Sequence, residues 1–274
     1  MIDIHCHILP GIDDGAKSMD ETLEMARIAV SEGIYHIIAT PHYIQYSDYA
    51  NKEQVQQLVD EVNNVLKKEN IALSLAVGQE IYLTPDLPKL VESGEVSTLN
   101  NGQYILVEFP MNDIPLYAED VFYELRLMGL TPILAHPERY PMIMEDPNIL
   151  LKFLNLGVLC QANVGSIRGF FGERVQKTVI TLIEHHMIHF VATDAHTPRN
   201  RAPKVRKALD EITRLSGDKA RELFIENPLK VYNNELIEVV MPIEVQKSGF
   251  LRVYLVNLKD RKEKRRKNLR FFYI

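Results

Sequence analysis

Two histidines near the start of the chain, His5 and His7, are separated by a single residue inside a short apolar run. Alternate side chains of a β-strand point to the same face, so this spacing predicts that the two imidazoles converge while Cys6 points away. Imidazole nitrogens that converge in this way are typical ligands of a transition-metal ion. The first predicted strand therefore indicates the start of a metal site.

Further imidazole and carboxylate side chains stand close to the ends of predicted strands or in the loops that follow them. These additional candidate ligands are Asp14, His42, Glu80, Glu108, His136, Asp194 and His196. With the first two histidines they make five imidazoles and four carboxylates, without a thiolate. A single zinc ion is satisfied by about four ligands. The surplus predicts two or three ions that share bridging carboxylates.

This donor set also limits the metal and its chemistry. Mixed nitrogen and oxygen ligands suit Mn²⁺, Fe or Zn²⁺ better than Mg²⁺, which prefers oxygen ligands and water. A polynuclear centre activates a bound water and holds both the attacking and the leaving oxygen of an in-line displacement, so phosphoester hydrolysis is the predicted reaction. The other histidines are interpreted as ordinary core or surface residues. They are His36, His185, His186 and His189.

Three arginines close to these ligands could hold a phosphate. Arg139 lies three residues after His136, and Arg199 and Arg201 follow the last candidate ligand within five residues. A guanidinium binds a phosphate through a planar fork of hydrogen bonds. The alternative for any one of these arginines is an ion pair with Glu138 or another acidic residue of the same rim.

Short β-rich apolar runs alternate along the chain with longer amphipathic segments. The predicted strands are residues 2–6, 35–40, 73–79, 104–108, 132–136, 158–162 and 188–193. The predicted helices are residues 18–32, 51–69, 117–129, 147–156, 173–187 and 202–214. This alternation implies parallel strands, either in a closed barrel or in a doubly wound sheet. In a barrel the C-terminal ends of the strands share one face, so the candidate ligands are expected to meet there.

Composition indicates an ordinary globular protein of one domain. The chain has 274 residues, of which 46% are hydrophobic, and no Gly-, Pro- or Ser-rich linker divides it. It has no apolar run of the ~20 residues that a membrane span needs and no signal-peptide pattern, so a cytoplasmic location is expected. Two cysteines are too few for a disulfide framework, and a net charge of −6 gives no reason to expect nucleic acid as a partner.

Several short motifs occur in a distinctive order. From the N-terminus they are H-x-H, D-D-G, T-P-H, G-x-E, E-F, A-H-P-E-R and D-A-H. This order resembles the polymerase-and-histidinol-phosphatase (PHP) superfamily. Within it, the stretches IDIHCHILPGIDDGAKS, LVEFP, AHPERY and FGERV closely resemble the bacterial tyrosine-protein phosphatases of capsule and exopolysaccharide loci, the CpsB/CapC type.

The resemblance implies an α/β fold, a single-domain, distorted (β/α)₇ barrel of the PHP type with three metal ions, commonly manganese. Fe, Zn²⁺ and Mg²⁺ stay open as alternatives. The implied ligand sets are His5, His7, Glu80 and Asp194; Glu80, Glu108 and His136; and Asp14, His42 and His196. Arg139 and Arg201 match the phosphate-binding arginines of the family, whereas Arg199 has no such counterpart.

The implied reaction is hydrolysis of phosphotyrosine, chiefly in the C-terminal tyrosine cluster of a bacterial tyrosine kinase from the same locus. Thiol-dependent tyrosine phosphatases need the pattern C-x5-R. Here the sixth residue after Cys6 is Ile12, and the sixth after Cys160 is Ser166. The predicted nucleophile is therefore hydroxide held by metal, without a covalent phosphocysteine.

The chain departs from the family pattern at its C-terminal end. Residues 1–243 are assigned to the barrel, and residues 244–274 form a tail with eight Lys or Arg between 259 and 270 and aromatic residues after them. A solvated, flexible tail is the usual interpretation of such a charge run. The alternative is peripheral contact with anionic lipid at the inner face of the membrane, where each basic residue adds ~1 kcal/mol.

Two other functions remain open from the sequence. One is a small-molecule phosphomonoesterase, such as a histidinol phosphatase, because its substrate presents the same phosphate monoester. The other is a noncatalytic, metal-stabilised regulator that binds the kinase without turnover. The oligomeric state has no signature in the sequence.

Overall fold

The computed structural model describes residues 1–246. Residues 247–274 lie outside the described part of the chain, and they include nearly all of the predicted basic tail, residues 244–274. Both interpretations of that tail, and the domain boundary after residue 243, therefore stay predictions.

Short strands form the centre of the molecule, and every paired neighbour is parallel. They are β1 (Ile2–Cys6), β2 (His36–Ala39), β3 (His42–Tyr43), β4 (Ser74–Val77), β5 (Glu80–Tyr82), β6 (Tyr104–Glu108), β7 (Thr131–Ala135), β8 (Leu159–Asn163) and β9 (Phe190–Ala192). The strand β2 pairs with β1 and β4, while β3 pairs with β5 and the series continues in chain order to β9.

Two of the barrel strands are interrupted. Residues 40–41 separate β2 from β3, and residues 78–79 separate β4 from β5. Pro41 has no N–H to donate to a neighbouring strand, which accounts for the first interruption. An isolated parallel bridge between Cys6 and Ala195 joins the two ends of the series. With each interrupted strand counted once, the strands occupy seven positions in a closed ring around the barrel axis. The predicted distorted (β/α)₇ barrel is therefore confirmed.

Helices connect consecutive strands and pack on the outside of the barrel. They are α1 (Met19–Glu32), α2 (Lys52–Lys68), α3 (Leu87–Glu92), α4 (Ala118–Leu127), α5 (Pro141–Glu145), α6 (Leu150–Asn155), α7 (Val164–Ile167), α8 (Glu173–Glu184), α9 (Arg206–Ser216), α10 (Lys219–Arg221) and α11 (Asn227–Tyr232). Single turns of 3-10 helix cover Leu99–Asn101, Pro137–Arg139 and Pro147–Ile149, and a π-helix covers Glu222–Glu226. Among residues 1–246, no helix combines the length and apolarity that a membrane crossing requires.

The boundaries of α1 follow from its sequence. Ser18 caps the N-terminus, where its side chain accepts a hydrogen bond from the backbone N–H of Glu21. The helix ends at Gly33, whose φ of 88° is a left-handed conformation that glycine adopts without a steric cost. The sequence prediction of a helix over residues 18–32 is therefore confirmed to within a residue.

The alternation of side chains along the strands divides the core into two layers. Inward-facing residues, among them Ile38, Leu106 and Phe190, fill the barrel. Outward-facing residues, among them Val107 and Val191, pack against the helices. Both layers exclude water, so the strands are apolar on both faces, as buried parallel strands usually are.

An irregularity in β1 aims the first two histidines. The pairing register between β1 and β2 shifts between Asp3 and Cys6. Ile4 belongs to the barrel interior, whereas Cys6 packs in the outer layer, as the sequence predicted. A bulge re-aims side chains next to functional sites, and here it turns His5 and His7 towards the barrel axis.

The segment after α9 closes the N-terminal end of the barrel, and the sequence analysis did not predict it. Val231 on α11 packs into the barrel-interior layer. The side chain of Asn100 donates to the carbonyl of Tyr232 at 2.8 Å, and the hydroxyl of Tyr104 donates to the carbonyl of Glu235 at 2.6 Å. The opposite, C-terminal end of the barrel carries the candidate ligands.

Candidate metal centre

All nine predicted ligands lie together at the C-terminal end of the barrel, and the tightest group surrounds the end of β1 and the start of β5. The Nε2 atoms of His5 and His7 are 3.2 Å apart, and each lies 3.3 Å from Oε2 of Glu80. Oδ1 of Asp194 lies 3.6 Å and 3.5 Å from the same two nitrogens. The edge of a tetrahedron around an ion with bonds of about 2.0–2.1 Å is about 3.3 Å, so the spacing of these donors fits a shared metal ion.

A second group of donors adjoins the first through Glu80. Nδ1 of His42 lies 3.1 Å from Oε2 of Glu80 and 3.3 Å from Oε1 of Glu108. Nε2 of His136 lies 2.8 Å from Oε1 of Glu80 and 3.9 Å from Oε2 of Glu108. Both oxygens of Glu80 are therefore engaged, which is the position of a bridging carboxylate.

A third group lies at the more exposed edge of the centre. Oδ1 of Asp14 is 3.5 Å from Nε2 of His42 and 3.3 Å from Nε2 of His196. The ring of His7 stacks beside that of His196, with centroids 3.8 Å apart. The donor atoms of the described residues form three groups that could each hold a metal ion.

The grouping by distance differs from the division implied by the resemblance in how it assigns several donors. His7 joins the Asp14 group as well as the group with His5 and Glu80, while Asp194 and His136 adjoin the three groups without belonging to them. His42 contributes Nδ1 to the group with Glu80 and Glu108, besides its Nε2 contact with Asp14. Nδ1 of His42 is buried and makes no well-aligned hydrogen bond, although carboxylate oxygens of Glu80 and Glu108 lie 3.1 Å and 3.3 Å away. Burying an imidazole nitrogen without a good hydrogen bond costs free energy unless a metal ion uses its lone pair. The residues present therefore fit a metal-bound centre.

The charges of the cluster support ionised carboxylates. Burial opposes ionisation of Glu80, but the charge of His5 and hydrogen bonds from the surrounding imidazoles hold the pKa of the Glu80 carboxyl well below its usual value. Hydrogen bonding to His196 lowers the pKa of Asp14. Burial opposes protonation of His7, yet its hydrogen bond to Asp13 raises the pKa of His7 to about 9. Anionic carboxylates are the form that binds a cation.

Asp13 orients two of the candidate ligands, a role that the sequence analysis did not assign. Its Oδ2 accepts a hydrogen bond from Nδ1 of His7 at 2.7 Å and from the backbone N–H of His42 at 3.1 Å. Its Oδ1 accepts from the backbone N–H of Gly15 at 2.8 Å. A carboxylate on the far nitrogen of a ligating imidazole fixes the ring and its tautomer. Only its position beside Asp14 pointed to it in the sequence.

Two amide side chains on β8 support the centre in the same way. Oε1 of Gln161 lies 2.7 Å from Nδ1 of His5. The amide of Asn163 donates to Oδ2 of Asp194 at 2.5 Å. Neutral amides inside a strand carry no pattern that separates them from other buried polar residues, which is why the sequence did not reveal them.

Two of the candidate ligands sit on strained backbone. His136 has a φ of 35° and Asp194 a φ of 47°, both in the left-handed region. Such conformations cost about 1–3 kcal/mol in residues other than glycine, and they concentrate at functional sites. Hydrogen bonds hold them: the N–H of His136 donates to the carbonyl of Gln161 at 2.7 Å, and that of Asp194 to the carbonyl of His5 at 2.8 Å.

Arg139 and Arg201 reach the edge of the centre. Nη1 of Arg139 lies 3.4 Å from Oδ2 of Asp194, and Nη2 of Arg201 lies 2.7 Å from the same oxygen. Glu138, the alternative partner considered for these arginines, is instead buried and accepts hydrogen bonds from the hydroxyl of Ser166 and a backbone N–H. Both arginines do contact an acidic residue, but that residue is itself one of the candidate ligands.

Residues left out of the site lie apart from it. Nδ1 of His36 lies 2.7 Å from the hydroxyl of Ser74. His189 is buried, and its Nδ1 accepts from the N–H of Cys160. The side chain of Arg199 is 79% exposed and its nearest acidic group, Glu21, is 3.7 Å away. None of these side chains belongs to the donor groups found in residues 1–246.

A closed parallel barrel with clustered His, Asp and Glu donors at the C-terminal strand ends defines a class of metal-binding (β/α) barrel. Comparison with known proteins narrows this class. Residues 1–233 match the family model described as "Capsular polysaccharide synthesis, CpsB/CapC". The chain therefore belongs to the CpsB/CapC family, and the resemblance noted in its motifs is confirmed.

Individual relatives match over most of their length. The chain is 40% identical to the tyrosine-protein phosphatase YwqE of Bacillus subtilis over 238 residues, which are 86% of this chain and 93% of the relative. It is 31% identical to the tyrosine-protein phosphatase CpsB of Streptococcus pneumoniae over 243 residues, 86% of this chain and 100% of the relative. A crystal structure from a study of YwqE and CpsB, described as unique metal-dependent tyrosine phosphatases, superposes with a TM-score of 0.87 at 38% identity, covering 90% of this chain and 100% of that chain.

Proposed function

We propose that the protein is a metal-dependent protein-tyrosine phosphatase, a phosphoric monoester hydrolase. The observation that carries the proposal is the position of Arg139 and Arg201, whose guanidiniums meet Asp194 at the edge of the donor cluster. Guanidinium groups beside a metal-binding cluster can bind the oxygens of a phosphate monoester through paired hydrogen bonds. The names of the relatives, tyrosine-protein phosphatases, support phosphotyrosine as the substrate.

The proposed metal ligands are the seven residues of the three donor groups together with His136 and Asp194, which lie within 4 Å of them, and Mn²⁺ is the proposed ion in up to three positions. They are His5, His7, Asp14, His42, Glu80, Glu108, His136, Asp194 and His196. Mixed imidazole and carboxylate donors suit Mn²⁺, Fe and Zn²⁺ better than Mg²⁺. The family resemblance is what favours Mn²⁺, and metal analysis separates it from the alternatives Fe, Zn²⁺ and Mg²⁺. When bound, the ions would supply Lewis-acid polarisation of the phosphoryl oxygens and activation of water.

The side chains of the chain itself have separate tasks in this proposal. Arg139 and Arg201 bind and orient the phosphoryl oxygens, and they stabilise the negative charge that develops on them during transfer. The ring of Phe171 lies 4.7 Å from Cζ of Arg139 and restricts the movement of that guanidinium. Asp13 keeps the ring of His7 in the orientation that presents Nε2 to the centre.

The proposed physiological substrate is a phosphotyrosine segment of a bacterial tyrosine kinase that acts in capsule or exopolysaccharide synthesis. The family description, capsular polysaccharide synthesis, supports the process, although it names no kinase. The proposed location is the cytoplasm, next to a membrane-associated partner. The basic tail outside the described residues would be the segment that contacts the inner face of the membrane.

The direct test compares substrates on the purified, metal-loaded protein. We expect kcat/KM to be higher for a phosphotyrosine peptide than for histidinol phosphate, because the open, exposed edge of the centre at Asp14 admits a protein segment. A preference for histidinol phosphate would mean that the protein is a small-molecule phosphatase and not a protein-tyrosine phosphatase. Tight kinase binding with no hydrolysis of either compound would identify a noncatalytic regulator.

Substitution of either cysteine is expected to leave most of the activity. Cys6 and Cys160 are fully buried, and burial raises the pKa of both thiols, so neither is a thiolate at neutral pH. Cys6→Ala and Cys160→Ala should therefore keep kcat for a phosphotyrosine peptide within a few-fold of the unchanged protein. Circular dichroism and metal content serve as controls for folding. Loss of turnover in a folded, metal-loaded variant would mean that the reaction uses a cysteine.

A further inference from the structure

A cavity of about 490 Å³ opens next to the metal centre, at the surface between the loop after α7 and the loop before α9. Its volume is within the range of about 300–1,000 Å³ that ligand-binding pockets occupy. The lining side chains that matter are Arg168, Phe170, Phe171, Arg199, Arg201 and Lys204. Phe171 begins the FGERV stretch, and Arg199 is the one arginine near the ligands that has no counterpart in the family pattern.

The cavity is strongly cationic. Arg168, Arg199, Arg201 and Lys204 line it, and no acidic side chain of residues 1–246 is part of the lining. The contact of Arg199 with Glu21 is long, at 3.7 Å, and largely exposed, so it offsets little of the positive charge. A concave wall with several positive charges and no acidic side chain in its lining attracts anions.

Aromatic rings form the apolar part of the wall. The guanidinium of Arg168 lies over the ring of Phe170, with Cζ 4.3 Å from the centroid. Phe170 is 51% exposed, so a large part of its ring faces the open cavity. A cation held against a ring is positioned at low entropic cost, because the stack restricts the long arginine side chain.

The cavity is continuous with the proposed phosphate-binding arginines. Arg201 lines it and also places Nη2 2.7 Å from Oδ2 of Asp194. Phe171 lines it and packs against the guanidinium of Arg139. A group bound in the cavity would thus be the immediate neighbour of a phosphate bound by the two arginines.

We propose that this cavity is a specificity subsite that binds an anionic side chain flanking the phosphotyrosine of a peptide substrate. The inference rests on the proposed function, because it takes the phosphotyrosine itself to be bound at Arg139 and Arg201. An extended peptide advances about 3.3 Å per residue, so side chains within a few positions of the phosphotyrosine reach the cavity. The anion is either the carboxylate of Asp or Glu or the phosphoryl group of a second phosphotyrosine.

The test uses the full-length, metal-loaded protein and matched phosphotyrosine peptides. The flanking residues are neutral Asn and Gln in one peptide, Asp and Glu in the second, and a second phosphotyrosine in the third. A small aryl phosphate without flanking residues reports the basal reaction. The variant is the double substitution Arg168→Gln and Lys204→Gln, and the control is Lys207→Gln, an exposed lysine on α9 that does not line the cavity.

The unchanged protein should favour an anionic peptide over the neutral one, mainly through a lower KM. In the double variant this preference should fall about tenfold, as expected for the loss of contacts between charged groups. The rates with the neutral peptide and with the aryl phosphate should stay unchanged, and Lys207→Gln should behave as the unchanged protein. A gain with the Asp and Glu peptide identifies a carboxylate subsite, and a gain confined to the doubly phosphorylated peptide identifies a phosphoryl subsite.

The proposal is overturned if the unchanged protein hydrolyses the neutral and both anionic peptides equally well, or if the double variant keeps the full preference. Fluorescence anisotropy measures how tightly the protein binds the unphosphorylated Asp and Glu peptide. This measurement separates the proposed phosphatase activity from the proposed subsite. Suppose that the unchanged protein hydrolyses no phosphotyrosine compound, and that the double variant binds this peptide more weakly than the unchanged protein does. The catalytic proposal then fails and the subsite stands. Equal binding by both proteins excludes the carboxylate subsite.

Discussion

Glu80→Ala is expected to lose bound metal and to lower kcat on a phosphotyrosine peptide by at least about a hundredfold, since even residues that only support metal ligands cost 10–100-fold when removed. Glu80 is 1% exposed and its two oxygens lie 2.8–3.3 Å from imidazole nitrogens of four histidines. Without this carboxylate, two of the donor groups lose a member, and the one carboxylate that contacts four imidazoles is gone. The measurements are metal content per chain and steady-state kinetics.

Two further variants separate metal binding from folding. Glu80→Gln keeps the size of the side chain but removes its charge, so it should stay folded while binding less metal. His36→Ala removes a histidine that contacts Ser74 outside the cluster, and it should retain both metal and turnover. Full metal content with normal turnover in Glu80→Ala would exclude Glu80 from the centre.

Arg139→Ala and Arg201→Ala are each expected to lower kcat/KM by about a hundredfold while most of the metal is retained. Positive donors that are already oriented stabilise the charge of the phosphoryl group in the transition state, and loss of one such donor typically costs ~3 kcal/mol. Lysine should restore only part of the loss, because a point charge cannot reproduce the bidentate fork. Metal analysis of each variant is essential, because both arginines also contact Asp194.

Arg199→Ala is the matched control for the two arginine variants. Its guanidinium is far more exposed than that of Arg139 or Arg201, and it does not contact Asp194 in the described residues. With a small aryl phosphate as substrate, which does not reach the cationic cavity, its effect should be slight. Near-normal kinetics in both Arg139→Ala and Arg201→Ala would refute the assigned phosphate-binding role.

The seven strand positions and the clustered ligands were predictable because both follow from short-range patterns. Buried parallel strands are continuous apolar runs, and the topology then brings their C-terminal ends together whatever their separation in sequence. His5 and Asp194 are therefore neighbours although most of the chain lies between them. The ligand types alone then indicate a metal centre.

The remaining features depend on three-dimensional contacts that leave no periodic signal. The bulge in β1 and the left-handed backbone of His136 follow from local geometry rather than from residue type. The segment that closes the barrel around Val231 was missed because it consists of helices too short to show a clear period. The cationic cavity combines two distant loops, and only the fold places them side by side.

Metal removal and restoration test the central claim most directly. The purified protein is treated with a chelator, the chelator is removed, and hydrolysis of a phosphotyrosine peptide is measured before and after addition of Mn²⁺, Zn²⁺, Fe²⁺ or Mg²⁺, with metal content determined at each stage. We expect turnover to fall to background on chelation and to return with added metal, most fully with Mn²⁺. Protein that is free of bound metal and still hydrolyses the peptide at its original rate would contradict a metal-dependent tyrosine phosphatase.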